Sequence, residues 1–436
     1  MTQHASMADR LAIWRSRKAA PVSQLWPLPP LPLAGASERA EGLFAADILP
    51  EGDRFDWLND LAALGDERAG RFAARRVAEW TGQRPSGWTA EATGWRLLHW
   101  LSHARFLYPR GVPAEALASL SRQAEFLHQR WQAPAGWGRI AALAGLSAAA
   151  FALERPALRP QTMALPPLPP LPEDLLQALV LLLSLRATWP EAVPTDAIAD
   201  AASALRAMRH ADGHLTRLRG GAGGDPSQLD AALVLSNIRR APPAQAMGMA
   251  RLAHGRCTVI ADLSRPALGF ELTSGRIPIV IAAPDCLAEP EVAGHPPRPA
   301  RVTDIAVTAN NLSARHTGWQ KCRLIHSRSL TLSSDGRMLT GCDLFDTRRR
   351  MRAPLQIILH FPLHPDIRVT DDAPLFRLAL PNGEVWTFAC PHTTITPHGH
   401  HIAASMTIDR FPARFDWTFA KSGATPLTIR DLPTGA

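Results

Sequence analysis

The spacing of apolar residues divides the chain into two parts with different periods. Up to about residue 240, apolar residues recur three and four positions apart, as in Phe55, Leu58 and Leu61, which is the period of an amphipathic helix. The pattern predicts helices near residues 54–65, 67–81, 89–107, 113–131, 137–153, 173–188, 195–210 and 226–239. Because the intervening loops are short, neighbouring helices are expected to form antiparallel hairpins, which can close into a bundle, a solenoid or an α/α toroid.

From about Met247 onward, apolar and polar residues alternate with a period of two. The segments are rich in β-branched and aromatic residues and are separated by turn signals such as Ser334-Asp335-Gly336. Strands are predicted over 256–262, 269–273, 277–282, 324–332, 337–344, 355–361, 375–380, 385–388, 401–408 and 414–419. Many short strands joined by tight turns favour an antiparallel β-sandwich.

A length of 436 residues exceeds one ordinary core and predicts more than one domain. The predicted divisions are an N-terminal extension (1–52), a helical domain (53–243) and a sandwich domain (244–436). Two proline tracts, 27–33 and 164–172, share the sequence L-P-P-L-P and are expected to be extended. They are rigid spacers or ligands for a proline-recognition module, and the lack of an adjacent basic residue favours spacers.

Composition narrows the class of partner. The net charge is +8, but basic residues are spread along the chain, which argues against a nucleic-acid site. No run of about 18 apolar residues exists, so no membrane span is expected. Only three of 47 basic residues are lysine, and arginine suits the carboxylates of an acidic glycan, although a GC-rich genome gives the same bias.

The N-terminal arginines are followed by a proline-broken segment rather than an apolar helix, so a cytoplasmic protein is expected, with the periplasm or cell envelope as the alternative. The five cysteines are an odd number without C-x-x-C spacing, which favours reduced, packed thiols over disulfides. Oligomeric state has no signature in the sequence.

The segment Leu268 to Arg276, L-G-F-E-L-T-S-G-R, resembles the motif H-A-x-x-L-S-F-E-L-x-S-G of the heparinase II/III family of polysaccharide lyases. The likeness is clearest to a proteobacterial branch and extends along most of residues 55 to 420. Further segments are similar to family motifs in the same order: Thr93 to Ala104, Arg209 to Gly213, Ser327 to Asp343, His360 to Pro365 and Leu380 to Trp386.

The resemblance implies an α+β multidomain fold: an N-terminal α/α toroid, which is an incomplete helical barrel, followed by a C-terminal antiparallel β-sandwich. It implies that a uronic-acid polysaccharide binds in the cleft between them and is cleaved by β-elimination without a cofactor. A base removes the C5 proton, polar groups neutralise the uronate carboxylate, and an acid, usually tyrosine, protonates the leaving oxygen.

The chain departs from this pattern at the reacting groups. Ser264 occupies the family's histidine position, and Met249 stands where relatives have tyrosine. The only tyrosine is Tyr108, and the family's D-G-G-H-x-x-R segment has no counterpart. Because such groups act as a unit, the sequence predicts a pseudoenzyme that binds glycan with lost or weak activity. The alternatives are a lyase with a rebuilt site and a non-catalytic scaffold in cell-envelope polysaccharide metabolism.

Two groups of residues are candidates for a site. His99 and His103 are candidate catalytic residues on one helix, where Trp95 and Arg96 would bind substrate, although a half-buried helix with internally satisfied polar groups also fits. His214 is the third catalytic candidate, with Asp212 and Arg217 as substrate-binding neighbours, although a flexible turn also fits.

A histidine-rich segment near the C-terminus contains Cys390, His392, His398, His400 and His401. Its spacing matches no standard zinc pattern, and exposed histidines on a hairpin are the simpler explanation. No metal site is therefore predicted. His360 and His364 are predicted to be structural.

Overall fold

The computed structural model describes residues 5–46, 53–82, 88–282, 290–320, 323–347, 354–372, 375–391, 393–398 and 400–423. The chain divides into two compact units. The helical unit comprises Met1–Pro169, Asp174–Ala202 and Asp225–Arg239, and the sandwich unit comprises Pro170–Glu173, Ser203–Gly224 and Arg240–Ala436. The last boundary lies near the predicted one at 243, but two segments of the helical half belong with the strands.

The helices of the described residues follow the predicted periodicity from residue 57 onward, with the predicted helix 89–107 divided in two. They are α1 (Met7–Ser16), α2 (Ser37–Ala46), α3 (Trp57–Leu64), α4 (Glu67–Gly82), α5 (Ala90–Ser102), α6 (Ala104–Leu107), α7 (Ala114–Arg130), α8 (Gly136–Ala152), α9 (Pro172–Thr188), α10 (Thr195–Ala207) and α11 (Pro226–Ser236). Among the residues that the structure describes, no helix is both long and apolar enough to cross a membrane.

Helix α5 is central to the helical unit and is nearly buried along its whole length. Thr89 caps its first turn by accepting a hydrogen bond from Ala92 N. Helix α5 packs on the alanine-rich helix α8 at Gly94 and Gly145. A Cβ atom on Gly94 would overlap the backbone of Ala141, so the two helix backbones are in direct contact.

The strands of the sandwich unit are β1 (Gln245–Ala246), β2 (Met249–His254), β3 (Cys257–Asp262), β4 (Phe270–Ser274), β5 (Ile277–Val280), β6 (Glu291–Val292), β7 (Thr303–Val307), β8 (Asn311–Trp319), β9 (Leu324–Leu332), β10 (Met338–Asp346), β11 (Leu355–Pro362), β12 (Arg368–Asp372), β13 (Leu375–Ala379), β14 (Val385–Ala389), β15 (Thr394–His398), β16 (His401–Ile408) and β17 (Ala413–Ser422). They form antiparallel sheets ordered β1-β2-β3-β4-β5, β12-β13-β14-β17-β10-β9-β8-β7 and β15-β16-β11-β6. Side chains from all three sheets share one apolar core. The predicted fold class, α+β with a C-terminal antiparallel sandwich, is confirmed.

The motif residues of β4 hold this core together. The ring of Phe270 stacks on Trp417 at a centroid distance of 5.2 Å, and Ser274 Oγ donates to Glu384 at 2.6 Å. A second buried network surrounds Asp343, whose carboxylate accepts from His326, Arg328 and Trp417. Burial alone would raise the pKa of Asp343, but Arg328 and His326 overcome this effect and lower it. These motif residues therefore have structural roles.

Several elements escaped the sequence pattern. Helices α1 and α2 lie in the segment predicted to be an extension with a proline tract. Strand β2 precedes the predicted strands, and β8 was not predicted although its burial alternates. Strands β7 and β12 are mostly exposed, so these two carry little apolar alternation to detect. The tract 27–33 and residues 164–171 of the second tract lie outside helices and strands, as expected of extended segments, whereas Pro172 begins α9. Trp137 Nε1 donates to Pro167 O at 2.9 Å.

Candidate functional site

A polar pocket of about 250 Å³ lies in the helical unit and is called here the helical pocket. Helices α3 and α5 supply its aromatic and imidazole side chains. Its charged side chains come from α2, from the segment before α3, from α3 itself and from the N-cap of α11. Its lining residues are Ala34, Arg39, Arg54, Asp56, Trp57, Asn59, Asp60, Trp95, His99, Gln177, Asp225 and Gln228. Two of the predicted site residues, Trp95 and His99, are among them.

His99 is held in one tautomer. Its Nδ1–H donates to the carbonyl oxygen of Arg54 at 2.7 Å, and the indole of Trp95 stacks on its ring at a centroid distance of 5.7 Å. Burial lowers the pKa of His99, so the ring is neutral near pH 7. With Nδ1 protonated, Nε2 carries the lone pair and can accept a proton or a hydrogen bond.

His103 reaches the helical pocket through a second residue. Its Nε2–H donates to Asn59 Oδ1 at 2.9 Å, and burial lowers the pKa of His103 to about 4. Because the oxygen of Asn59 is occupied, its NH₂ group is the part that remains for a ligand. Sequence reasoning missed Asn59, since it lies 44 positions from His103.

The charges at the helical pocket are mixed. Arg39 pairs with Asp60 at 2.6 Å and also with Asp225, and the hydrogen bonds that its guanidinium donates to Asp60 raise the pKa of Arg39 above its ordinary value. Arg54 pairs with Glu91. Both arginine side chains are about half exposed, at 49% and 48%, so they also meet solvent. The rim therefore offers cations whose carboxylate partners compete with an acidic ligand.

Arg96 does not line the helical pocket, because its side chain is wholly buried. Its guanidinium donates to Gln123 Oε1 at 2.7 Å, to the Asp53 carbonyl at 2.7 Å and to Thr93 Oγ1 at 3.0 Å. It also lies 4.4 Å from the ring centroid of Trp80. Burial lowers the pKa of Arg96 to about 9, which leaves it charged near neutrality. The predicted substrate-binding role of Arg96 does not fit this geometry, because all of these contacts are within the protein; the role of Arg96 is structural.

A second set of polar side chains, called here the polar cluster, lies in the sandwich unit. It contains Asp212, His214, Arg217, His364 and His400. Asp212 accepts from the His214 backbone N–H at 2.9 Å, and its carboxylate lies 3.4 Å from His214 Nδ1. Burial alone would raise the pKa of Asp212, but the contacts with His214 lower it. Asp212 and His214 are thus in direct contact, and Arg217 Nε and His214 Cβ both lie beside Gly223.

His364 joins the polar cluster from beyond the end of β11. Burial lowers its pKa, and the charges of Asp366, Arg217, Asp212 and His400 act on the same ring. The sequence predicted a structural role for His364 and did not place it near Asp212 and Arg217. His360 has different surroundings, since its ring stacks on His401 and lies 3.6 Å from Glu291.

Glu271, from the F-E-L-x-S-G segment, anchors the loop of the polar cluster. The carboxylate is 1% exposed. Its Oε2 accepts from His210 Nε2 at 2.7 Å, and its Oε1 accepts from the backbone N–H groups of Arg217 and Ala282 at 3.1 and 3.2 Å. The motif that is most similar to the family therefore positions Arg217 rather than reacting itself.

The family's histidine position has no base here. Ser264 is exposed, and its Oγ donates to Asp262 Oδ1 at 2.5 Å. Asp262 is buried and ion-paired with Arg219 at 3.2 Å. Met249, at the family's tyrosine position, is fully buried.

Tyr108 lines a different cavity from the helical pocket, and burial raises the pKa of its hydroxyl to about 12. Among the described residues no three side chains are grouped to hold a metal ion. His392 and the side chain of His398, from the histidine-rich segment, lie outside the described part.

Residues 289–419 match the family model of the heparinase II/III-like C-terminal domain. The structure of a mutant heparan sulfate lyase HepC from Pedobacter heparinus is similar, with a TM-score of 0.58 and 12% identity over 97% of this chain and 84% of that chain. Two heparinase III structures give TM-scores of 0.59 and 0.56, identities of 10% and 11%, and coverage of 98% and 95% of this chain and 85% of each of theirs. At such identities the likeness shows the fold alone. A comparison with curated proteins found no match.

Proposed function

We propose that this chain, a heparinase II/III-like protein, binds an acidic, uronic-acid-containing polysaccharide without cleaving it by β-elimination. The observation that carries the proposal is the state of the reacting positions. At the histidine position the Ser264 hydroxyl donates to a buried carboxylate, and at the tyrosine position the Met249 side chain is in the core. Neither side chain can act as an acid or base near neutral pH.

The helical pocket supports the binding part of the proposal. Trp57 and Trp95 contribute aromatic side chains to the lining, and Asn59, Gln177 and Gln228 contribute amides, which can bind the hydroxyl and carboxylate oxygens of a sugar. Arg54 is the rim cation with a single described carboxylate partner, Glu91. An acidic sugar would compete with that partner, so weak, salt-dependent binding is expected.

The lack of a suitably placed tyrosine as general acid supports the second half of the proposal, that the polysaccharide is not cleaved. The one tyrosine of the chain is Tyr108, and a hydroxyl with a pKa of about 12 in another cavity is unsuited to protonate a leaving group at the helical pocket. A lone base would remove a proton without completing the elimination. Residual activity is therefore expected to be very low.

Titration calorimetry with a uronic-acid oligosaccharide at two salt concentrations tests the binding. Arg54→Ala should weaken binding roughly two- to fivefold at low salt, the range for an exposed ion pair. The matched control is Arg110→Ala, because Arg110 is exposed and does not line the helical pocket. Affinity that is indifferent to salt, or equal losses in both variants, would contradict the proposal.

Ultraviolet absorbance of the unsaturated uronate product tests the catalytic part on the same oligosaccharides. We expect no time-dependent rise. The competing function is an active lyase with a rebuilt site, and the neutral His99 with its Nε2 lone pair is the observation that favours it. A rise that His99→Gln abolishes would establish that alternative; one that His214→Gln abolishes would place the base in the polar cluster.

A further inference from the structure

A second cavity of about 820 Å³ lies in the helical unit. Its walls come from the segment Arg17–Pro21, from α4, from the stretch between Tyr108 and Pro113, and from α7. Small apolar side chains, including Ala74, Ala78 and Ala118, make up much of the lining. This volume is within the range of small-molecule sites, and such sites are mostly apolar with a few polar groups.

Two neighbouring residues of α7 give the second cavity a polar end. Ser121 is 1% exposed, and its buried Oγ has no hydrogen-bond partner among the described residues. The buried Nε of Arg122 also lacks one there. An unsatisfied buried donor costs about 1–3 kcal/mol, so both side chains would gain by turning toward a ligand that accepts hydrogen bonds.

We propose that the second cavity binds an amphiphile that has an apolar body and one carboxylate, of the size of a medium-chain fatty acid. The carboxylate pairs with the guanidinium of Arg122 and accepts from Ser121 Oγ when these side chains turn toward it, and the apolar body lies along the alanine wall. The charged residues of the lining are Arg17, Arg122 and Glu115, so one net positive charge matches one acid group. Tyr108, protonated because of its raised pKa, is a further donor.

A sugar is a poor occupant of this cavity. Its ring carries hydroxyl groups on most carbons, and an alanine wall would leave them without partners at a cost of about 1–3 kcal/mol each. The proposal is independent of glycan binding at the helical pocket, because the two cavities have no lining residue in common.

Fluorescence of dansyl-labelled undecanoic acid, titrated into the full chain, tests the proposal. We expect saturable binding and displacement by dodecanoate. Dodecanol should displace the probe about tenfold more weakly or worse, because hydrogen bonds to a charged group are the stronger ones. Equal displacement by the acid and the alcohol, or no binding of the probe, would overturn the proposal.

Three variants locate the site. Arg122→Met removes the cation and keeps an apolar stem, and it should reduce dodecanoate affinity about tenfold while leaving that of dodecanol unchanged. Arg105→Met is the matched control, since Arg105 is exposed and outside the lining. Ala118→Trp fills the cavity from an exposed position and should abolish binding of both ligands, with circular dichroism confirming the fold. Unchanged binding in Ala118→Trp would show that the probe binds elsewhere, and equal losses in both methionine variants would exclude a specific carboxylate contact.

Discussion

Replacement of Glu271 tests whether the most family-like motif of this chain is structural. In Glu271→Ala, the N–H groups of Arg217, Ala282 and His210 all lose their acceptor. Each orphaned buried donor costs about 1–3 kcal/mol, and water that enters the vacated space recovers part of this. We therefore expect the free energy of unfolding to fall by about 3–5 kcal/mol.

Glu271→Gln should lower the free energy of unfolding much less, because each hydrogen-bond donor keeps an acceptor. The amide oxygen can still accept from Arg217 and Ala282. The amide nitrogen would face His210 Nε2, but His210 Nδ1 has no described partner, so the ring proton can move there and leave Nε2 as an acceptor. What is lost is the charge assistance of the three hydrogen bonds, about 1–2 kcal/mol in all, while no donor is left without a partner.

Urea unfolding followed by near-ultraviolet circular dichroism measures the global effect. Because a chain of two units need not unfold in one step, amide hydrogen exchange at Arg217 and Ala282 supplies the local measure. Protection should fall strongly in Glu271→Ala and slightly in Glu271→Gln. If both variants match the natural protein in exchange and stability, the anchoring role of Glu271 is wrong.

Three further outcomes follow from burial. Arg96→Met should lower the free energy of unfolding by about 2–5 kcal/mol, measured in urea, because Gln123 Oε1 and the Asp53 carbonyl lose their donor, and an unaltered stability would contradict this. Ser264→His should fold with nearly unchanged stability, because Ser264 is exposed. Met249→Tyr should lower the free energy of unfolding by about 1–3 kcal/mol, because the larger side chain overpacks the core. If Ser264→His had the lower urea midpoint of the two, the exposure of Ser264 and the burial of Met249 would be wrong. Between about pH 4 and 6.5 an unfolded histidine binds more protons than the buried His103, so the free energy of unfolding should rise with pH. His103→Gln should reduce that slope by up to about 1.4 kcal/mol per pH unit, measured by urea unfolding at several pH values.

Local periodicity was enough to place most of the elements. The predicted strands 324–332 and 401–408 coincide with β9 and β16, because each alternates between the core and a more exposed face. The edge strands β7 and β12 lack that alternation, so the rule that detects half-buried strands does not apply to them.

The candidate site could be predicted only where its members are close in sequence. Trp95 and His99 share a helix face, and their spacing alone placed them together. Asn59 and His364 come to their sites through tertiary packing, which a single sequence does not contain. Arg96 was misassigned because spacing identifies a helix face and does not tell whether that face meets a pocket or another helix.

The contact between Gly94 and Gly145 has a consequence for the thermodynamics of recognition. Two backbones that touch cannot slide past each other without separating, so the helix that carries Trp95 and His99 has a fixed position within its unit. A ligand then meets rings that are already oriented, and little conformational entropy is lost from the protein on binding. Weak affinity at this pocket would accordingly reflect competition for charge and water rather than the cost of ordering the receptor.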